Sequence, residues 1–127
     1  VVRLLLIGLG GAVGSVLRYL LSGLVQSGTG TTTFPTGTLA VNLLGCFGIG
    51  MLAELSESRG VIGAEIRGLL IVGLIGGFTT FSTFANETLS AVRDNALLIA
   101  GVNVLLSVSF GLVAVWFGRQ LAHAIWG

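Results

Sequence analysis

The sequence predicts an all-α membrane protein of four transmembrane helices, the third of them interrupted mid-span. Three observations carry that expectation. Charged residues make up 9% of the 127 positions and hydrophobic ones 54%, with a mean hydropathy of +1.02. Water-soluble domains carry roughly 25% charge, so lipid is the solvent that suits this composition. Four apolar stretches are each long enough for a hydrocarbon core of roughly 30 Å, which takes about 20 helical residues to cross. Finally, Gly76 to Phe84 (GGFTTFSTF) sets a polar, glycine-rich run inside the third stretch.

The first span is expected over Leu4 to Leu24, with a small-residue face at Gly10 and Gly14 and with Arg18 near its end. It starts almost at the first residue, is long enough to cross and lacks a processing site, so a retained span is expected, not a cleaved leader. The second runs from Leu39 to Leu55 and is approached through Pro35-Thr36-Gly37-Thr38. The third covers Ile66 to Leu89, and the fourth Ala96 to Leu121. Short connections join them: Ser27 to Thr33 (SGTGTTT), Glu54 to Glu65, and Arg93-Asp94-Asn95. No internal repeat or second domain is visible, so residues 1–127 read as one four-helix unit.

The charge pattern is weak. Arg3, Arg59, Arg67 and Arg119 fall on the side of the termini, while Arg93 and, near its boundary, Arg18 fall on the other. Positive charge prefers the cytoplasm, which favours cytoplasmic termini by a small margin and permits insertion in both orientations. A net charge of +1 speaks against nucleic-acid binding. Cys46 is the single cysteine, so an internal disulfide and a cysteine metal cluster are excluded. Gly8 to Val13 begins like a dinucleotide fingerprint, but Val13 replaces the last glycine and the run lies within a span. Ser82 has no histidine base close by in sequence, and His123 stands alone near the C-terminus, where an interfacial position is expected. The GxxxG pairs Gly10/Gly14 and Gly73/Gly77, with Gly45, Gly48 and Gly50, are surfaces for close helix approach, within the chain or between copies.

Function is expected at the polar run. Backbone groups in hydrocarbon must be satisfied internally, and irregular backbone survives there only where protein or water surrounds it. Gly76-Gly77, followed by Thr79, Thr80, Ser82 and Thr83, is a place for the helix to unwind. Freed carbonyls suit a cation; freed amides and hydroxyls suit an anion. The alternative is a continuous helix whose hydroxyls bond back to its own carbonyls. Phe78, Phe81 and Phe84 recur every three residues, which aligns them on one face if helix resumes. A phenyl ring carries a positive edge, which can assist a dehydrated anion, although ordinary packing is the commoner use of such residues. Asn42, inside the second span, either donates to an anion or stitches helices together. In the fourth span Asn103 and Ser107 share a face, while Ser109 lies elsewhere on the helix. Arg18 and Glu87 are the charges within or bordering the spans. Such groups are functional candidates, although Arg18 can also snorkel to the interface.

These residues resemble a known family. Gly37-Thr38-Leu39-Ala40-Val41-Asn42, the run Gly76 to Phe84 and the segment Gly14 to Tyr19 are similar to the Fluc (CrcB-type) fluoride channels, over essentially the whole chain. The resemblance implies a fluoride-selective channel that exports toxic fluoride from the cytoplasm by passive conduction through the inner, plasma membrane. It implies an antiparallel, dual-topology dimer with two pores, formed with an identical chain or a paralogous one. By motif position, Asn42, Phe81 and Phe84 match pore residues, with Ser82, Thr83, Asn103 and Ser107 on the fluoride pathway. The backbone carbonyls of Gly76 and Thr79 match the ligands of a structural Na+ at the dimer interface. Arg18 matches a vestibule arginine and Glu87 a pore-adjacent acid. Gly111 and Val115 depart from the pattern, standing where relatives can carry hydroxyls, which shortens the expected polar track.

Two rival functions remain on the residues alone. A proton-coupled multidrug exporter has a similar layout but wants a carboxylate in an early span, and the first span has none. A non-transporting assembly protein accounts for the glycine faces but leaves the polar run without a purpose. An enzyme has the least support.

Overall fold

A computed structural model describes residues 1–60 and 62–127, with only the backbone of Arg59. The side chain of Arg59, counted in the charge balance, lies outside the described residues. Among the described residues, four helical spans are long and apolar enough to cross a bilayer: Val2–Thr29, Thr36–Ser58, Ala64–Arg93 and Leu97–Trp126. All run longer than the apolar stretches alone suggested, because helix continues into polar flanks once a partner helix lies alongside. The extension matters most at α1 (Val2–Thr29). It leaves Arg18 about 16 Å short of the helix's C-terminal end, at ~1.5 Å per residue. Arg18, expected near the end of the apolar stretch, thus lies well inside the helix.

Helix ends follow local chemistry. α1 stops at Gly30, whose φ of 69° lies in the left-handed region and whose N–H reaches back to the Ser27 carbonyl. The chain then turns through Thr31–Phe34, held by Gln26: its amide nitrogen Nε2 donates to the Thr31 and Phe34 carbonyls at 2.7 and 2.9 Å, and its Oε1 accepts from Gly37 N–H at 3.0 Å. Pro35 then precedes α2 (Thr36–Glu54), which passes into a π-helical turn over Leu55–Arg59. The third span opens as α3 (Ala64–Arg67), widens into a π-helical stretch over Gly68–Ile75 and closes as α4 (Gly76–Phe78). Two extended residues follow, Thr79 (φ −88°, ψ 156°) and Thr80 (φ −149°, ψ 112°), before α5 (Phe81–Arg93). Asn95 takes φ 60° in the tight turn to α6 (Leu97–Trp126), a conformation asparagine tolerates better than most residues.

α2 packs chiefly on α6, and α1 chiefly on the first half of the third span. Small residues set both seams. A methyl group at Gly14 would collide with the Leu74 carbonyl, and one at Gly77 with the Gly11 carbonyl. The two GxxxG pairs thus face each other within one chain, which resolves the choice left open between contacts in the chain and contacts between copies. On the other seam Gly50 meets the Val115 backbone and Gly118 the Phe47 backbone. The buried apolar core is correspondingly slight: Val41, Ala100 and Ala122. Large apolar side chains point outward instead, as expected where lipid removes the hydrophobic drive for burial and close packing takes over.

Candidate functional site

The extended pair Thr79-Thr80 is the centre from which the site is built. Helical hydrogen bonding persists as far as the Thr79 N–H, which donates to the Ile75 carbonyl at 3.0 Å; the Thr79 hydroxyl donates to the same oxygen at 3.1 Å. Gly76 and Gly77, where unwinding was expected, remain helical. Gly77 is held against α1, and the departure from helix falls on the two threonines that follow. Threonine suits it: a β-branched residue gives up little by becoming extended, and its hydroxyl can replace a lost backbone partner.

Asn42, on α2, meets Thr80 with both ends of its amide. Its Nδ2 donates to the Thr80 carbonyl at 3.0 Å, and its Oδ1 accepts from the Thr80 N–H at 2.8 Å. The side chain therefore does stitch two segments together, and one N–H of its amide remains beyond that pairing. Thr80 in turn caps α5. Its Oγ1 accepts from the Thr83 N–H at 3.2 Å and donates to the Thr83 hydroxyl at 3.0 Å, which leaves the Thr83 hydroxyl proton unspent in this pair. Ser82 Oγ lies 3.4 Å from the Thr80 hydroxyl.

Arg18 reaches the same region from α1. Its Nε donates to the Gly77 carbonyl at 3.1 Å. The bond holds the guanidinium beside the end of α4.

The aromatic residues divide. Phe81 and Phe84 lie on α5 with ring centroids 5.6 Å apart and planes tilted by 52°. Phe81 is 77% exposed on the single chain. Phe78 belongs to α4, on the other side of the extended pair, and its ring faces Gly45 of α2. The expected alignment of all three on one face is corrected: the two extended residues Thr79-Thr80 break the helical spacing and remove Phe78 from the row.

Asn103 and Ser107 come together as expected, within a longer chain of bonds. Ser107 Oγ lies 3.4 Å from Asn103 Oδ1, to which it donates; Asn103 Nδ2 donates to the Thr88 hydroxyl at 3.0 Å, and Thr88 donates to the Phe84 carbonyl at 2.8 Å. Asn103 is buried. Beyond it, Gly111 is buried close to Cys46 and the Val115 backbone packs on Gly50, so this face of α6 turns into a helix contact. Glu87 accepts from the buried Thr38 hydroxyl at 3.0 Å through Oε2, while its Oε1 is buried with no partner among the described residues. Glu87, Ser90 and Asp94 line a cavity of about 940 Å³ beneath the Thr31–Pro35 loop.

Sequence reasoning passed over three members of this site. Thr38 stood only as a letter inside a motif, Thr80 was named for the unwinding but given no partner, and Thr88 was not singled out. The usable signal was the demand that every hydroxyl in a span find a partner, which for Thr88 means a buried amide on the next helix.

Comparison with known proteins bears on the whole chain. The family model described as CrcB-like protein, Camphor Resistance (CrcB), matches residues 5–119. A protein of Geobacter sp. (strain M21) named fluoride-specific ion channel FluC is 49% identical over 97% of this chain and 98% of its own length. One of Opitutus terrae with the same name is 51% identical over 93% of this chain and 90% of its own. An archaeal relative from Methanosarcina acetivorans, named fluoride-specific ion channel FluC 1, is 44% identical over 91% and 87%.

Proposed function

The chain belongs to the CrcB-like family, and from that premise we propose that it is a fluoride-selective channel, a passive conduit and not an enzyme, through which fluoride leaves the cytoplasm across the inner membrane. Residues 1–127 act as one four-helix membrane domain. Two copies, or this chain and a paralogous one, pair in opposite orientations and carry two pores. The small arginine bias and the outward-facing apolar surface, Phe81 included, support that assembly.

One observation carries the reading: a polar and aromatic cluster gathers around two extended residues in the middle of an apolar span. In this reading Thr79-Thr80 is a discontinuity at membrane depth, tolerated because Asn42 and the Thr80 side chain satisfy what the helix no longer does.

Fluoride is small and strongly hydrated, so a pore must replace its water with close donors, yet hold the ion weakly enough for exit. The second N–H of Asn42, the free Thr83 hydroxyl proton and the Ser82 hydroxyl are such donors. The positive ring edges of Phe81 and Phe84 add attraction without a fixed cation. Along α6, Asn103 and Ser107 continue the path. Every hydroxyl in the Ser107–Asn103–Thr88 chain is a rotor, and the 3.4 Å Ser107 bond is the loosest of them, so it is the first to turn toward a passing anion. Arg18 raises the local anion concentration, and Glu87, held by Thr38, marks the end of the route beside the cavity.

The carbonyls of Gly76 and Thr79 fit a structural Na+ at the interface between subunits. In an α-helix they would accept from Thr80 and Thr83 N–H, but those donors are engaged elsewhere. Neutral oxygen ligands suit a hard monovalent ion, as in other membrane sites built from unwound backbone. Bound there, the ion supplies positive field between the two pores and ties two discontinuous spans together.

The test is efflux from liposomes holding purified protein. Fluoride flux well above protein-free vesicles, with chloride flux near background, is expected. No fluoride flux, or equal flux of both anions, overturns the proposal.

A further inference from the structure

Three side chains decide which backbone groups around Thr79-Thr80 are free. Asn42 Oδ1 takes the Thr80 N–H at 2.8 Å, the donor that a continuous helix would give to the Gly76 carbonyl. Thr80 Oγ1 takes the Thr83 N–H at 3.2 Å, the donor that would otherwise go to the Thr79 carbonyl. Arg18 Nε claims the Gly77 carbonyl at 3.1 Å, so the oxygen between them is engaged. The result is a pattern in which Gly76 and Thr79 lose their helical donors while Gly77 is engaged.

We infer that Asn42 and Thr80 are positioning residues for the cation: their acceptor oxygens set Na+ affinity by withholding the two N–H groups that would close helix over the Gly76 and Thr79 carbonyls. This rests on the sodium site proposed above. It gives the Asn42 amide two separable tasks, its oxygen toward the backbone and its nitrogen toward the Thr80 carbonyl and the anion. Without the Oδ1 acceptor, the Thr80 N–H would be unpaired in a low-dielectric setting, which is costly. In a closed helix the Gly76 carbonyl is the acceptor that this N–H takes. Helix then competes with the ion for that oxygen. The same competition follows at Thr79 when the Thr80 hydroxyl is removed.

The experiment reads Na+ without reading fluoride. Purified protein is transferred to N-methyl-D-glucamine chloride, and its thermal unfolding midpoint is followed as Na+ replaces the organic cation at constant ionic strength. In the unsubstituted protein Na+ raises the midpoint with a definite half-effective concentration. That concentration is expected to rise about tenfold or more in Asn42→Leu and in Thr80→Val, the scale set by loss of roughly one hydrogen bond's worth of preorganisation. It is expected to stay within about threefold in Asn42→Asp and Thr80→Ser, each of which keeps the acceptor oxygen. An unchanged half-effective concentration in Asn42→Leu or Thr80→Val overturns the inference. So does loss of the Na+ response in both Asn42→Asp and Thr80→Ser, which keeps the test decisive if the apolar variants do not fold. An unsubstituted protein indifferent to Na+ removes the sodium site itself, and the inference with it. That outcome is distinct from a responsive parent whose variants do not shift.

Discussion

Phe81 and Phe84 separate two uses of an aromatic side chain. Phe78 spends its ring on Gly45 and α2, whereas Phe81 is largely uncovered and leans toward Phe84 at 5.6 Å. If their edges assist fluoride, Phe81→Ile and Phe84→Ile should each cut fluoride efflux from liposomes by about tenfold or more, the effect of removing about 1.4 kcal/mol of stabilisation at the barrier. Rates within about twofold of the parent would assign the rings to packing. Single-residue chemistry was partly legible in the sequence. Asn42 and Asn103 announced themselves because an amide in a span needs a partner. Which partner was not legible, since Thr80 and Thr88 are brought to them by helix packing from 38 and 15 positions away. Nor could spacing reveal that Phe78 leaves the aromatic row, because a period of three presumes one continuous helix, and the backbone becomes extended at Thr79.

At the scale of elements, the seam between α1 and the third span holds Arg18 and Gly77 in register. Gly14 faces the Leu74 carbonyl and Gly77 the Gly11 carbonyl with no room for a methyl group. Gly14→Val should therefore push the helices apart, destabilising the fold by about 1–3 kcal/mol or more, and should lower both the thermal midpoint and the folded yield in detergent. Gly23→Ala, where a methyl meets open space, should leave both near the parent. The four spans could be read from apolar length alone, because the bilayer imposes it. Their true ends could not. The helices run on past the apolar stretches to Thr29, Ser58 and Trp126. The π-helical stretch Gly68–Ile75 had no signature in the sequence, since its i−5 bonds arise from packing and not from the residues' own preferences.

At the scale of the whole molecule, the weak arginine bias is the property most open to test. Adding three arginines beside the termini should commit the chain to one orientation. Adding them instead to the Arg93–Asn95 turn should commit it to the other. Each biased version expressed alone should fail to protect cells from fluoride, and the two together should restore protection. Full protection by either one alone would contradict assembly from opposite orientations. Arg18 carries a consequence for the order in which the molecule is made. Its acceptor, the Gly77 carbonyl, lies 59 residues further along. α1 therefore enters the bilayer before the group that receives its guanidinium has left the ribosome. An arginine near a helix centre opposes insertion by about 2.5–3.5 kcal/mol, while each Leu, Ile or Val returns about 0.3–0.6. The thirteen Leu, Ile and Val residues spread along α1 together outweigh that opposition, so the helix can wait in lipid with its charge drawn toward headgroups or water. Docking of the third span then supplies the missing acceptor, so the first span gains its guanidinium bond only once the third has entered the bilayer beside it.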